Sequence, residues 1–332
     1  MSYEQVDFAS HVGQEVDLDL LFRSAWRTFK RHGWPALGYG ILMWLLAMAA
    51  ALAAMFLSMI LALPLNLISR GSSSPMAAMG GSLAGQIMGS LVGAAATALF
   101  TFPLIAGYVW SVVCTYDDRR MEAGDLFAGF RSRYKLLVTL GAIQGLALCV
   151  IQIMQTVFTA GATLSLMRSG GPPGLPAVVG VLASILPALV VAMVAMWIVQ
   201  LLFFLTPYFA FAHEAPTWRL CLQYNWRVLR ERPGQFLLVF FASTIGIAAL
   251  TLLFGIPVSL TCLLFLTREA VLVFLAVVLL GIEGLALVAC VVALMVYAFF
   301  LIAGFFRAAY GYSLHPPDAA PLRDAPPQAN VP

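Results

Sequence analysis

Charge is scarce in this chain of 332 residues: Asp, Glu, Lys and Arg make up 10% of it, whereas 62% of its residues are hydrophobic. A soluble domain carries about 25% charged and about 45–50% apolar residues. Six stretches of more than 30 residues contain no charge apart from Glu283; they span residues 34–68, 86–116, 136–167, 177–212, 236–266 and 270–306. This distribution excludes a soluble enzyme, a secreted disulfide scaffold and a nucleic-acid-binding domain.

Side chains that bind metals or act as nucleophiles are also sparse. The 5 cysteines form no CxxC spacing, and the 4 histidines lie outside the six stretches without a pair at ligand spacing. The sequence contains neither a phosphate-binding glycine loop nor a GxSxG motif. The turn 116–120 (Tyr-Asp-Asp-Arg-Arg) is expected to be a solvated charged turn. We therefore predict no catalytic residue, no metal and no cofactor, and the chain is predicted not to be an enzyme.

The six apolar stretches predict membrane-spanning helices. About 18 apolar residues suffice to cross a bilayer, and two spans with a turn need more than about 40, so each stretch holds one helix. The stretches exceed the hydrocarbon thickness and must tilt, bend or project. Pro64 is expected to end the first helix, and Pro103, Pro187, Pro207 and Pro257 are expected to bend the helices that contain them.

The basic residues predict how the chain is oriented. Arg70, Arg168 and Arg268 lie in loops on one side, and the other 15 of the 18 Lys and Arg residues lie in the termini and in the two loops of the opposite side. The positive-inside rule places those termini and loops in the cytoplasm. Residues 1–20 carry five acidic and no basic side chains, which is unlike a signal peptide.

Three amphipathic segments precede spans on the cytoplasmic side. A basic helix with Trp on its apolar face lies in the plane of the lipid headgroups. We expect an aromatic–arginine pair in each segment to anchor it, and the alternative is that the pairs bind anionic lipids or a partner. The six anchor residues are Trp26, Arg27, Phe130, Arg131, Trp226 and Arg227.

The three amphipathic segments resemble one another, which indicates an internal repeat. Residues 104–108 and 301–305 share Leu-Ile-Ala-Gly-aromatic, which adds a match between spans. The predicted fold is all-α: a polytopic membrane protein with six transmembrane helices in three hairpins, each preceded by a cytoplasmic amphipathic interfacial helix, in a parallel pseudo-threefold repeat. The repeat units cover about 18–120, 121–215 and 216–312 of a membrane domain 18–312. Residues 1–17 form a polar N-terminal segment, and residues 313–332 a disordered Pro-rich tail.

Two short motifs resemble a known family. Residues 25–34 read AWRTFKRHGW, and residues 124–130 read GDLFAGF. They resemble the AW-x-x-F-K-x-x-x-W entry pattern and the DLF-x-GF motif of six-helix bacterial inner-membrane proteins, a family that includes the membrane domain of some glycerophosphoryl diester phosphodiesterases. The resemblance covers about residues 18–312 and implies a bacterial cytoplasmic membrane protein. It brings no catalytic residues, and this chain has no soluble stretch long enough for a phosphodiesterase domain.

Four glycines recur every fourth residue before the second span and share one helix face. Small residues at this spacing let another helix backbone approach closely, as in a glycine zipper. We expect tight packing inside the monomer, with self-association or a partner helix as the alternative. The four positions are Gly81, Gly85, Gly89 and Gly93.

Glu283 is the one charged residue inside the six apolar stretches. An ionised carboxylate there costs at least about 2.5–3.5 kcal/mol, so we expect a buried side chain that faces protein or a watery cavity. It is either a neutral acid that links helices or a proton or ion site.

These features support two functional hypotheses. The first is a non-enzymatic integral protein of the bacterial cytoplasmic membrane that acts through helix packing and lipid or protein contacts. The alternative is a transporter or channel subunit with Glu283 as the proton- or ion-coupling residue. The expected partners are membrane lipids, anionic lipids among them, and a second copy or another membrane protein; nucleic acid is not expected.

Overall fold

The structure is a computed structural model that describes residues 16–70, 75–168, 175–212, 216–244 and 270–309. All regular secondary structure in these ranges is helical, which confirms the predicted class. The helices are α1 (Leu18–Arg70), α2 (Pro75–Ala96), α3 (Phe102–Thr115), α4 (Ala128–Arg131), α5 (Tyr134–Arg168), α6 (Leu175–Phe203), α7 (Thr206–Ala212), α8 (Trp218–Glu231), α9 (Pro233–Thr244) and α10 (Ala270–Ala309).

Within the described residues, five helical segments are long and apolar enough to cross a membrane: Leu18–Pro64, Leu83–Thr115, Tyr134–Gly161, Leu186–Ala212 and Val277–Ala309. They coincide with five of the six predicted spans, and the chain is therefore a multi-pass membrane protein. The sixth predicted span, 236–266, begins in α9, but its residues 245–266 lie outside the described residues. The six-helix count therefore stays a prediction, as does the Pro-rich tail, whose residues 313–332 are also outside.

The surface of the long helices is apolar. Ile60, Leu186, Val191 and Ile282 each expose more than 60% of their accessible surface. Single exposed apolar residues are common in soluble proteins, but continuous apolar helix faces are suited to contact with lipid.

The amphipathic segment and the first span form one unbroken helix of 53 residues, α1. Asp17 caps it, because Oδ1 of Asp17 accepts hydrogen bonds from the backbone N–H groups of Asp19 and Leu20 at 3.0 and 3.2 Å. The prediction that Pro64 ends the helix was wrong, since α1 continues to Arg70. Proline removes one backbone donor, and in an apolar environment the remaining backbone groups have no water to replace their helical bonds.

Two other prolines lie where the sequence predicts a bend. A π-helical turn, Thr97–Thr101, joins α2 to α3 just before Pro103, and the Tyr134 hydroxyl donates to the Leu99 carbonyl at 3.3 Å. That carbonyl is the one which a residue at 103 would bond in a regular helix, and proline has no N–H for it. A side-chain hydroxyl also replaces the missing backbone donor before Pro207, where the Thr206 hydroxyl donates to the Phe203 carbonyl at 2.8 Å.

Pro187 lies inside α6, and Pro257 is outside the described residues.

The chain contains two compact units. Among the described residues, the first unit combines those before 41, those from 109 to 122 and those after 227, and the second combines those from 41 to 108 and from 123 to 227. Both have fully buried cores. In the first unit the core includes Leu21, Phe236, Phe300, Phe305 and Phe306, and in the second Leu126, Leu137, Leu140, Leu205 and Phe209. The units cut across the predicted repeat because each amphipathic segment packs on a span of another repeat.

Candidate functional site

The segment around Phe130 docks on α3 through two glycines. A Cβ built on Gly107 would collide with the backbone carbonyl of Leu126, and one built on Gly129 would collide with the carbonyl of Pro103. Only glycine permits an approach this close. These two residues belong to the Leu-Ile-Ala-Gly and DLF-x-GF motifs, so the motifs meet at one contact.

Asn225 docks α8 on the break between α6 and α7. Its side chain is fully buried, with Oδ1 accepting the Leu205 N–H at 2.9 Å and Nδ2 donating to the carbonyls of Leu201 at 3.0 Å and Leu202 at 2.9 Å. Sequence reasoning missed Asn225. A helix break leaves backbone groups unpaired, and a buried amide can satisfy several of them at once.

The first turns of α1 dock on α10. Leu21 and Ala25 are fully buried, and a Cβ built on Gly304 would lie 3.0 Å from Cδ1 of Leu21. The Phe29 ring meets the rings of Tyr297 and Phe300 edge-on, with centroids 5.7 Å apart in both cases. The amphipathic half of α1 is therefore held by small and aromatic side chains of the last span.

The predicted anchor residues lie toward the outside of these contacts. Trp26 and Trp226 are 48% and 53% exposed, and Arg27 and Arg131 are also exposed. The sequence places both tryptophans in the apolar stripe, whereas the stripe that packs is formed by Leu21 and Ala25 in α1 and by Cys221 and Asn225 in α8.

Basic groups lie over two of the exposed tryptophan rings. Nζ of Lys30 is 5.2 Å from the Trp26 centroid, and the Arg219 guanidinium is 5.2 Å from that of Trp218. Of the remaining anchors, Phe130 stacks on Tyr134, and both Phe130 and Arg227 are partly exposed. An apolar ring that carries a cation is suited to the headgroup region of a bilayer.

The expectation of a solvated turn after α3 was wrong for Tyr116, which is buried, and the two aspartates that follow it form ion pairs. The buried Tyr116 hydroxyl donates to the Phe300 carbonyl at 2.7 Å, and Asp117 pairs with Arg307 at 2.8 Å. Burial raises the pKa of Tyr116, so the phenol remains a donor. Asp118 Oδ1 is 2.7 Å from Nη1 of Arg31. These partners belong to α1 and α10, and their distance along the chain hid them from sequence reasoning.

Asp118 closes a small cleft of about 60 Å³ against one face of α1. It has a φ of 54°, a left-handed conformation in which Asp and Asn are enriched. The α1 side of the cleft presents polar side chains from successive helical turns, and its residues share a face because they lie three or four positions apart. They are Ser24, Arg27, Thr28, Arg31 and His32.

A larger cavity of about 620 Å³ lies among α1, α2 and α5. The cavity lining contains no charged side chain and has polar groups at about half of its positions, with serines, threonines and three glutamines. The amides of Gln86, Gln152 and Gln155 make no hydrogen bond with any described part of the chain. Gln86 and Gln152 are exposed and Gln155 is partly exposed, so their amides are open to a hydrogen-bonding occupant of the cavity.

Two of the four glycines that share one face of α2, Gly89 and Gly93, line this cavity; we call this face the glycine stripe. The structure leaves room at the stripe: a Cβ on Gly85 would lie 3.7 Å from that of Ala62, one on Gly89 would lie 3.9 Å from Oγ of Ser58, and one on Gly93 would meet nothing within 4 Å. These are ordinary contacts or open space. Gly81 is buried, and self-association through the stripe stays a prediction.

Close helix packing occurs instead at two glycines of α5. A Cβ on Gly141 would lie 2.9 Å from Cα of Ala98, and one on Gly145 would lie 3.1 Å from the carbonyl oxygen of Ala94. Gly141 and Gly145 form a GxxxG pair, so the signal was present in the sequence.

Glu283 lies in α10, inside the last of the five apolar helices. Its side chain is partly exposed, and its role as a structural acid or a proton site stays a prediction. The helix face around it is open, since Ile282 is 61% exposed and a Cβ on Gly284 would meet nothing within 4 Å. Glu283 does not line the large cavity.

Within the described ranges, no group of three or more His, Cys, Asp and Glu side chains could hold a metal ion. A scan against protein-family models and searches of curated proteins and of solved structures found no match to this chain.

Proposed function

We propose that this chain is a non-enzymatic integral protein of the bacterial cytoplasmic membrane that acts through lipid contacts, by holding one amphipathic lipid in the cavity among α1, α2 and α5. The observation that carries the proposal is the set of amides of Gln86, Gln152 and Gln155, which have no hydrogen-bond partner among the described residues and line a cavity of about 620 Å³. Sites for small molecules measure about 300–1,000 Å³ and combine an apolar wall with a few polar groups.

The uncharged lining favours a neutral hydrogen-bonding group over an ion. An amide both donates and accepts, which suits the hydroxyl or ester oxygens of a glycerolipid. Ala54, Met55 and Leu148 supply apolar wall for an acyl chain. Gly89 and Gly93 have no side chains, and this leaves the space beside α2 that forms part of the cavity.

A transporter or channel subunit is the second candidate. The π-helical turn Thr97–Thr101 favours it, because Thr97 and Thr101 line the cavity and π turns occur at functional sites. In that case Glu283 would couple the transport of a substrate or ion to the movement of protons. Proton flux into proteoliposomes, followed with a pH-sensitive dye, would then be present in the parent protein and absent in Glu283→Gln, with both proteins equally folded.

The three docking contacts support the proposed threefold repeat. The segment around Gly129 packs on the second span of the first predicted unit, α8 packs on that of the second unit, and α1 packs on that of the third. An equivalent role for three segments is what repetition of one unit would produce. The basic residues listed above support cytoplasmic termini by the positive-inside rule.

The test is lipid retention after purification in a mild detergent, measured by native mass spectrometry. The parent protein should carry about one lipid per chain. Gly93→Leu should remove it, because the new side chain occupies the cavity, and Gln152→Leu should weaken it while leaving the volume nearly unchanged.

Gly161→Leu is the matched control. Gly161 lies on α5 outside the cavity lining, and a Cβ there would meet nothing within 4 Å. It should retain the lipid. Equal retention by Gly93→Leu and Gly161→Leu would show that the lipid binds elsewhere.

A further inference from the structure

We infer that the cleft between α1 and Asp118 binds a phosphate group, carried by a phospholipid headgroup or free in solution. This site is separate from the intramembrane cavity and does not depend on the proposed function. Arg27 and Arg31 lie one helical turn apart on the cleft, and Thr28 and His32 lie beside them on the same face.

Several donors in the cleft have no partner among the residues that the structure describes. Arg27 is exposed and pairs with no carboxylate in the described ranges, and the Thr28 hydroxyl makes no side-chain hydrogen bond there. Nε2 of His32 is buried without a hydrogen bond; its nearest charged neighbour is Asp118, with Oδ1 at 3.5 Å. In the described ranges only Nη1 of Arg31 meets a carboxylate, that of Asp118, so its other N–H groups can donate to a ligand. Converging guanidinium and hydroxyl donors suit the tetrahedral oxygens of phosphate.

The position of the cleft also favours a phosphate. It lies just before Trp34, which is 85% exposed and begins the first apolar stretch, and next to the exposed Trp26 with its Lys30 cation. Tryptophans of this kind mark the membrane–water interface, the layer where lipid phosphates are found. A cleft of about 60 Å³ admits one small group and excludes a whole ligand such as a nucleotide.

Asp118 is the competing anion in the cleft. Its carboxylate already occupies Nη1 of Arg31, so a phosphate must share that arginine with it. Removing the negative charge of Asp118 should therefore tighten phosphate binding, whereas removing Arg27 should weaken it. Asn is the suitable replacement at position 118 because it tolerates the left-handed backbone that Asp118 adopts.

The experiment is calorimetric titration of the purified full-length chain in maltoside micelles and phosphate-free buffer. One arm adds inorganic phosphate, a second adds dihexanoyl phosphatidic acid, and a third adds dihexanoylglycerol, which lacks the phosphate. Binding in the first arm identifies free phosphate as a ligand, and binding in the second arm alone identifies the headgroup. Arg27→Gln should weaken binding about tenfold, the loss typical of one charge-assisted hydrogen bond, and Asp118→Asn should tighten it.

Arg230→Gln is the control for surface charge. Arg230 is exposed on α8 and does not line the cleft, so this variant should bind like the parent. The inference is overturned by absence of binding in both phosphate arms, by equal binding of dihexanoylglycerol, or by equal weakening in Arg27→Gln and Arg230→Gln.

Discussion

The guanidinium of Arg307 donates two hydrogen bonds to the carboxylate of Asp117, from Nη1 to Oδ2 at 2.9 Å and from Nη2 to Oδ1 at 2.8 Å. The arginine also lies over the Tyr116 ring, 5.7 Å from its centroid. The pair links the end of α3 to the end of α10. Its two members differ in environment, because the side chain of Arg307 is 9% exposed and that of Asp117 is 54% exposed.

This difference predicts an asymmetry between the two single substitutions. Asp117→Ala leaves a buried guanidinium without its carboxylate and should lower the free energy of unfolding by about 1–3 kcal/mol. Arg307→Met leaves a half-exposed carboxylate that water can solvate, and should cost less. Thermal unfolding in detergent measures both, and the double variant should resemble Arg307→Met. A larger loss for Arg307→Met than for Asp117→Ala would contradict this account.

A second prediction concerns the buried amide at the break between α6 and α7. Asn225→Ala removes the partners of three backbone groups, and one unsatisfied buried group already costs about 1–3 kcal/mol. The unfolding midpoint should fall well below that of Gln223→Ala, a change at an exposed position of the same helix. Asn225→Asp should be intermediate or worse, since it keeps the acceptor for Leu205 but loses the donor. Equal midpoints for the alanine variants would show that the break does not need Asn225.

The third prediction separates glycines that are required from glycines that are tolerated. Gly107→Ala and Gly129→Ala place a methyl group against backbone carbonyls, which cannot move aside as a side-chain end can. Both should destabilise the fold by about 1–3 kcal/mol or abolish it. Gly85→Ala adds a methyl group at ordinary contact distance in a helix and should be neutral or stabilising. Comparable losses in all three variants would mean that the contacts are not as close as described.

Sequence reasoning found the features that are local. The apolar stretches predicted where the five long helices lie, and Pro103 and Pro207 predicted irregular helix, because both follow from residues that are near one another in the chain. The burial of single side chains could not be predicted in the same way. Trp26 is half exposed and Glu283 is partly exposed, and hydropathy and charge say which side chains avoid water but not which helix face meets protein and which meets lipid.

Contacts between residues that are distant along the chain were also not predicted from the sequence. Nothing in the local sequence around Asp117 indicates that Arg307 is its partner, and Asn225 looks like an ordinary polar residue of an amphipathic helix. The cavity was also hidden, because it is formed by absent side chains at Gly89 and Gly93 together with glutamines from other helices. The spacing of the glycines predicted that they share one face of α2. The arrangement of the three helices was needed to show that part of this face lines a cavity.

The last prediction uses Cys221 to test both burial and orientation. Cys221 is 1% exposed, and burial raises the pKa of its thiol to about 11. The thiolate is the reactive form, so a water-soluble maleimide at pH 7.5 should label Cys221 much more slowly than a cysteine introduced by Arg230→Cys, at an exposed position of the same helix. All other cysteines are removed in both variants.

The pH dependence follows from the direction of the shift. Below the folded pKa the thiolate fraction grows about tenfold per pH unit, so labelling of Cys221 should accelerate steadily between pH 7.5 and pH 9.5. Because the folded pKa is raised, the thiol contributes stability below its ordinary pKa, and this contribution is lost as the pH rises toward 11. Labelling of Arg230→Cys should occur in inside-out vesicles and not in right-side-out vesicles, since α8 is predicted to be cytoplasmic. The reverse pattern would contradict that orientation, and rapid labelling of Cys221 at pH 7.5 would contradict the docking of α8.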